Sequence, residues 1–432
     1  MRLLRRALLL TYYWPPRPAI ASVRAEHLVA SLSAHGWEVV PVVPDFGDVC
    51  YDRSVCTTGV VEFKAPVRRF LGVREGETAH AHFHVDERGV LERPSWKQQA
   101  LETGHRVLSF ADGRLGWLGP GVRAVREILR KERVDAIIST SPPVATHLVA
   151  AGARGDVPWI ADLRDPWLRS DDLSGGPVFR AIDELLEGYA FRAAGALVTV
   201  SEPIAQSLRN RYPHKRVYAI ANAFWKREWD GIPFVHPPKA TFLHAGSLYR
   251  GARNPRPFFE ALAQLRREGE ISEREVSVEF YGERENWLEC EIERYGLGGI
   301  VALCGRRPRA EILARERAAS RLVVIAADGA EERGTYTGKL FEYLGARRPI
   351  IAVGGPAERT VMDEALTLSG AGERHRDAGG LQVAIIRALE EWRRGETATL
   401  TEEAVAPFEL TQFGARYARV VEEVSNAASA SR

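Results

Sequence analysis

The strongest constraint in this sequence is an alternation that runs twice along the chain. Short, almost unbroken apolar runs give way to stretches whose apolar residues fall on one helical stripe. "RALLLTYY" leads into "SVRAEHLVASLSAHG", stopped by Gly36, and "WEVVPVVP" follows. The same grammar returns in "GVRAVREILRKER", "VDAIISTS", "PPVATHLVAAGA", "VPWIADL", "FRAAGALVTVS" and "EPIAQSLRNRY". Strands apolar on both faces must be covered on both faces, and the helices between them supply the cover, so the pattern predicts a parallel α/β sheet. "KREWDGIPFVHPPKA" interrupts it with proline and charge. The alternation then restarts at "ATFLHAGSLY" and continues through "VSVEFYGE", "GIVALCG", "RLVVIAAD" and "PIIAVG".

The expected fold class is therefore α/β, with two tandem Rossmann-like doubly wound domains facing a central cleft. A chain of 432 residues exceeds one ordinary core, which agrees with that division. The first domain is expected over 1–228, with a poorly patterned insertion at about 44–118 that contains "HAHFHVDERGV". A linker is expected at 229–240, a second domain at 241–405, and a final helix at 406–432 crossing back to the first domain. Ligands of such sheets sit beyond the carboxyl ends of the strands, so the loops there are the places to search.

Composition narrows the classes. With 45% hydrophobic and 27% charged residues the chain is an ordinary globular one, and a net charge of +2 supplies no bulk attraction for nucleic acid. Cys50, Cys56, Cys290 and Cys304 have no metal-type spacing and are expected as free thiols in a reducing compartment. The basic start "MRLLRRALLLTYYWPP" has too short an apolar core for a signal peptide and reads as a first strand. The expectation is a cytoplasmic protein. The basic residues Arg123, Arg126, Arg130 and Lys131, with "VRRFLGV", offer a peripheral contact at the inner face of a membrane, testable by co-sedimentation with anionic and neutral liposomes.

Four strand-end segments can carry chemistry. The first turn, "YYWPPRPAIASVR", lacks the glycines of a dinucleotide fingerprint, so the first half is not expected to hold a nucleotide. Its Trp14, Arg17, Ser22 and Arg24 form a stiff aromatic lip suited to an acceptor. "DLRDPW" places Asp162, Arg164 and Asp165 at the end of a central strand. There they form either a loop-fixing ion pair or a functional cluster. "HAGSLYRGARNP" brings Gly246, Ser247, Arg250 and Arg253 to the end of the first strand of the second half, with glycine for close approach and arginine for an oxyanion.

The last segment, "GTYTGKLFEYLGARRPIIAV", puts Thr335, Tyr336, Thr337, Gly338 and Lys339 at a helix start, where free N–H groups and a positive helix end favour an anion. Glu342, one turn on, can accept two hydroxyl hydrogen bonds of a ribose. From spacing alone, Lys339 and Glu342 are equally a solvated ion pair on one helix face. Two oxyanion cradles with a diol acceptor describe a nucleoside-diphosphate site.

The ordered set "YYWPP…SVR", "STSPP", "DLRDPW", "VTVSE", "AIANAF", "HAGSLYRG", "FYGE" and "GKLFEYLGARRPIIAV" resembles the glycosyltransferase family 4 type of GT-B enzyme over nearly the whole chain. The resemblance implies a retaining, metal-independent transfer of a sugar from a nucleotide sugar to a hydroxyl acceptor, which is a glycan, lipid carrier or small molecule. It implies Glu342 on the donor ribose, Arg253 and Lys339 on the diphosphate, and Arg306 and Arg307 beside the nucleobase. Asp165 or Asp162 is inferred to contact the donor hexose or the acceptor nucleophile. The chain departs from the family's pattern at Gly334, where an acid is common, with Glu331 and Glu332 out of register. It departs also at "RPAIA" in the first turn and at Asn222-Ala223. A sugar-nucleotide 2-epimerase and a non-catalytic nucleotide-sugar-binding module are the alternatives. No metal or other cofactor is expected.

Overall fold

A computed structural model describes residues 5–16, 20–47, 49–52, 54–60, 114–167, 177–249 and 251–430. The chain makes two compact units, one from the described residues up to Ala221 together with the chain from Thr411 on, the other from Asn222–Leu410. Arg17, Arg250, the "HAHFH" and "VRRFLGV" segments and most of the expected insertion lie outside the described residues.

The first unit runs β1 (Arg5–Leu10), α1 (Ile20–Ala34), β2 (Trp37–Pro44), β3 (Cys56–Thr58), α2 (Leu118–Lys131), β4 (Ala136–Ser141), α3 (Ala145–Ala153), β5 (Trp159–Leu163), α4 (Pro177–Ala193), β6 (Ala196–Thr199), α5 (Glu202–Arg211) and β7 (Val217–Ala219). The second runs β8 (Ala240–Ala245), α6 (Arg256–Arg267), β9 (Val276–Tyr281), α7 (Asn286–Arg294), β10 (Val301–Gly305), α8 (Arg309–Ala318), β11 (Arg321–Ala326), α9 (Gly338–Ala346), β12 (Ile350–Gly354), α10 (Val361–Ser369), β13 (Gly372–His375), α11 (Ala378–Arg393) and α12 (Glu402–Val405). The terminal helix α13 (Leu410–Ala430) ends the described chain.

Both sheets are wholly parallel. Their orders are β3-β2-β1-β4-β5-β6-β7 and β10-β9-β8-β11-β12-β13. Each therefore reverses direction beside its first strand, between β1 and β4 and between β8 and β11, and a crevice for ligands opens at such a point. The central strands β4, β8 and β11 are buried along their full length, as strands covered on both faces are, their mostly apolar residues enclosing a few polar ones such as Ser139 and His244.

Helix α13 packs within the first unit. Its Phe413 ring lies 6.4 Å from His27, and a Cβ at Gly195 would meet Val424 Cγ1 at 2.8 Å, so a larger residue at 195 would push the helix off. The proline-rich stretch after Trp229 has no regular structure but is tied down within the second unit. Arg317 Nη1 donates to the carbonyls of Trp229 (2.8 Å) and Ile232 (3.0 Å), and Arg348 Nη2 to that of Val235 (2.9 Å). The two arginines of "GARRP" thus have structural work. Arg347 takes the left-handed conformation (φ 57°) that stops α9, and Arg348 is buried among backbone carbonyls. No described helix is long and apolar enough to cross a membrane, and all four cysteines are free.

Candidate active site

The switch point of the second sheet gathers most of the predicted donor residues. After β8 the chain turns at Gly246 (φ 155°), and Arg253 forms an isolated bridge to Ala327, just past β11. Arg253 Nη1 donates to the carbonyl of Ile325 (3.2 Å) and to Thr337 Oγ1 (3.1 Å), which holds a guanidinium beside the first turn of α9. Thr337 is the N-cap of α9, yet its side chain does not cap the helix, so the first N–H groups stay available to an anion. A Cβ on Gly246 would lie 3.8 Å from Lys339 Cγ, which places the bare backbone of one cradle against the lysine of the other. The hydroxyl of Tyr343 accepts from Ala245 N (2.8 Å) and ties the end of β8 to α9. Ser247 accepts from Tyr249 N, Tyr336 packs edge-on to Phe341, and Thr335 is half-buried.

Glu342 is the centre of that cluster. Lys339 Nζ donates to its Oε1 and Arg309 Nη1 to its Oε2 at 2.6 Å, while Arg309 also holds Glu228 through Nε (3.1 Å) and Nη2 (3.0 Å). Burial disfavours charge on Glu342, but Lys339 and Arg309 outweigh it and bring its carboxyl down to about 2. Lys339 is likewise pulled both ways, burial lowering and the two glutamates raising its pKa, with a net rise. Arg309, Glu228 and the buried Glu316 were not among the residues singled out from sequence. Arg309 and Glu316 lie seven apart on α8, two turns along one face, and that spacing was the available signal. Arg306, by contrast, is exposed and pairs with Glu283.

His244 was also unforeseen. Its Nδ1 faces the carbonyl of Val323 at 2.9 Å, so that nitrogen carries the proton. Burial then pushes its pKa down to about 4 and keeps the ring neutral. The loops after β8, β11, β12 and β13 line an open pocket of about 380 Å³ that includes Asn254, Asp328, Gly354, Gly355, Glu358 and Arg376. It lies next in sequence to Arg253 and falls within the size range of small-molecule sites.

The first unit treats its predicted residues differently. Asp162 is fully buried and accepts from Arg24 Nε (2.8 Å), Arg24 Nη2 (2.6 Å) and Thr140 Oγ1 (2.8 Å). Arg24 also reaches the carbonyl of Ile220 and lies over the Phe413 ring at 5.1 Å. Arg24, expected at an acceptor lip, and Asp162, expected to contact the donor hexose or the acceptor nucleophile, are thus paired and enclosed in the core, where they fasten α1, β5 and α13 to one another. Ser22 is buried as well. Trp14, Arg164 and Asp165 remain half-buried at the strand ends, with Arg164 Nε on the carbonyl of Ser141 (2.9 Å). Among the described residues no group of three or more His, Cys, Asp or Glu could hold a metal ion.

Comparison with known proteins agrees with this architecture. Residues 21–223 match the family described as a glycosyl transferase 4-like domain. Sucrose-phosphate synthase from Thermosynechococcus elongatus superposes with a TM-score of 0.64 at 14% identity, over 98% of this chain and 100% of that one. The fold is GT-B. Other GT-B-like structures fit less closely. Anabaena HepE in complex with UDP-glucose gives a TM-score of 0.56 at 15% identity, covering 97% and 99% of the two chains. UDP-GlcNAc 2-epimerase from Methanocaldococcus jannaschii gives 0.52 at 13%, also covering 97% and 99%. No curated protein matches in sequence.

Proposed function

We propose that this GT-B chain is a glycosyltransferase that moves a sugar from a nucleoside-diphosphate sugar to a hydroxyl acceptor, with retention and without a metal. The observation that carries the reading is the convergence of Arg253, Lys339 and the uncapped start of α9 beside Glu342. The leaving group of such a reaction is a nucleoside diphosphate, and its growing negative charge needs fixed positive partners shielded from water. Arg253, Lys339 and the helix N–H groups supply them, each charge-assisted hydrogen bond contributing about 1.5–3 kcal/mol. Glu342 takes the ribose hydroxyls. Arg309 already grips Glu228 with two nitrogens, so it can release Glu342 to a diol without becoming an unpaired cation.

Asp165, half-buried at the end of β5, is the group we assign to the acceptor or the donor hexose. Gly334 leaves the sugar without the acid that similar enzymes often place there. The family match over residues 21–223 favours a transferase over the epimerase alternative. The test is calorimetric titration with UDP, GDP, ADP and dTDP, each with and without EDTA, on wild type, Lys339→Ala and Glu342→Ala. One diphosphate should bind wild type regardless of EDTA and lose most of its affinity in both variants. If none binds, the proposal fails. Incubation with the matching nucleotide sugar then separates the classes: free nucleotide with an unaltered sugar marks a transferase, an isomerised sugar an epimerase, and tight binding without turnover a binding module.

A further inference from the structure

The group left over by this account is Glu316. Its side chain is completely enclosed on α8, and no protein donor reaches either carboxylate oxygen. Lys339 Nζ is 3.6 Å from Oε1, beyond hydrogen-bond range, and its ammonium is already turned to Glu342. The polar group within reach is the Glu342 carboxylate, itself an acceptor. Two ionised carboxylates cannot share such a place, since buried oxygens without donors must find a proton somewhere.

We infer that Glu316 carries a proton and donates it to Glu342, which makes Glu316 the positioning residue for the carboxylate assigned to the ribose. The charged and titratable groups facing it are Lys339, Glu342 and Tyr343 from α9 and Arg309 from its own helix, with Glu228 behind Arg309. With Glu316 neutral, the charges of Arg309 and Lys339 balance those of Glu228 and Glu342, and Arg253 is left as the surplus positive charge for an anion. Ionised, Glu316 would draw Lys339 off Glu342 and set a second negative charge beside the diphosphate. Burial and the neighbouring Glu342 charge both push its carboxyl well above the usual range, and Lys339 offsets only part of that. At neutral pH the proton stays on Glu316 through turnover and is not consumed by any reaction.

The inference rests on the donor-site reading for its role, but the proton itself can be read without a ligand. Infrared difference spectra of wild type against Glu316→Gln, at neutral pH, should show a carboxylic-acid carbonyl band in wild type that the variant lacks. The absence of that band overturns the inference. The tightest of UDP, GDP, ADP and dTDP is then titrated calorimetrically from about pH 6 to about pH 9.5 on both proteins. Glutamine keeps the shape, the neutrality and a donor, so the variant should bind as wild type does at the acid end. At the alkaline end wild type should bind about tenfold more weakly than the variant. Coincident pH profiles would overturn the positioning role even with the band present. If no diphosphate binds either protein, the donor-site reading falls, and with it Glu316's assigned role, whatever the infrared spectrum shows.

Discussion

Each unit sets an arginine or lysine against an acid near a strand end, and the two clusters have opposite character. In the first unit Arg24 and Asp162 are enclosed and mutually saturated: two nitrogens meet two oxygens, Thr140 and Ile220 take the remaining sites, and the ion pair has 2% and 0% side-chain exposure. In the second unit Lys339 and Glu342 keep 25% and 12% exposure, Arg309 divides itself between two acids, and Glu316 has no donor at all. Saturation marks a brace; the imbalance of the second cluster is what the donor-site proposal rests on. The comparison breaks most directly at Arg24. Arg24→Leu leaves Asp162 charged and unpaired in the core, and denaturant unfolding should show a loss of about 3–5 kcal/mol. Arg24→Leu combined with Asp162→Leu should cost clearly less than the sum of the single changes. Additive losses would mean that the pair is no unit.

The complementary change is Lys339→Ala. Here the expected loss is in binding, about 1.5–3 kcal/mol of diphosphate affinity, with a smaller change in stability because Arg309 still holds Glu342. Equal losses in binding and stability would make Lys339 a second brace.

Sequence reading went further in the second unit than in the first, and the reason is physical. Strand alternation fixes which residues sit on a sheet, and the thirteen strands among the described residues combine into two parallel sheets of the kind the apolar runs demand. A helix start with Gly-Lys can be read from one short window because its groups lie within one turn of each other. "DLRD" gave no such local clue: the partner of Asp162 is Arg24, 138 positions away, and only the tertiary fold turns a strand-end acid into a buried one. Arg309, Glu316 and His244 were missed for the same reason. Their significance comes from α8, α9 and β8 meeting, and no short window contains all three.

A pH scan compares the units through their buried histidines. His147, with Nδ1 against Ser139 Oγ at 2.7 Å, is pushed by burial down to about 3, and His244 to about 4. The unfolded chain binds these protons near pH 6.5 and the folded chain does not, so the native state loses stability as pH falls below about 6.5, by about 1.4 kcal/mol per pH unit for each histidine. His147→Phe should reduce the acid sensitivity of the first unit below about pH 6.5 and leave that of the second. If the sensitivity survives His147→Phe undiminished, the imidazole is not held neutral.

The smallest effect sharpens the comparison from outside it. Lys131 and Glu127 on α2 form a helical ion pair of the same chemistry as Lys339 and Glu342, but with 68% and 61% exposure. Water already solvates both charges there, and holding two long side chains together costs rotamer freedom that offsets the attraction. Lys131→Gln should therefore leave the unfolding midpoint unchanged within error, while Lys339→Gln shifts it. From sequence the two pairs look alike, four and three residues apart, each an acid and a base about one turn apart on a helix. What separates them is the enclosed Glu316 beneath Lys339 and the second cation, Arg309, on Glu342. If the two substitutions shift the midpoint equally, those neighbours have no energetic consequence and the second cluster is an ordinary surface pair.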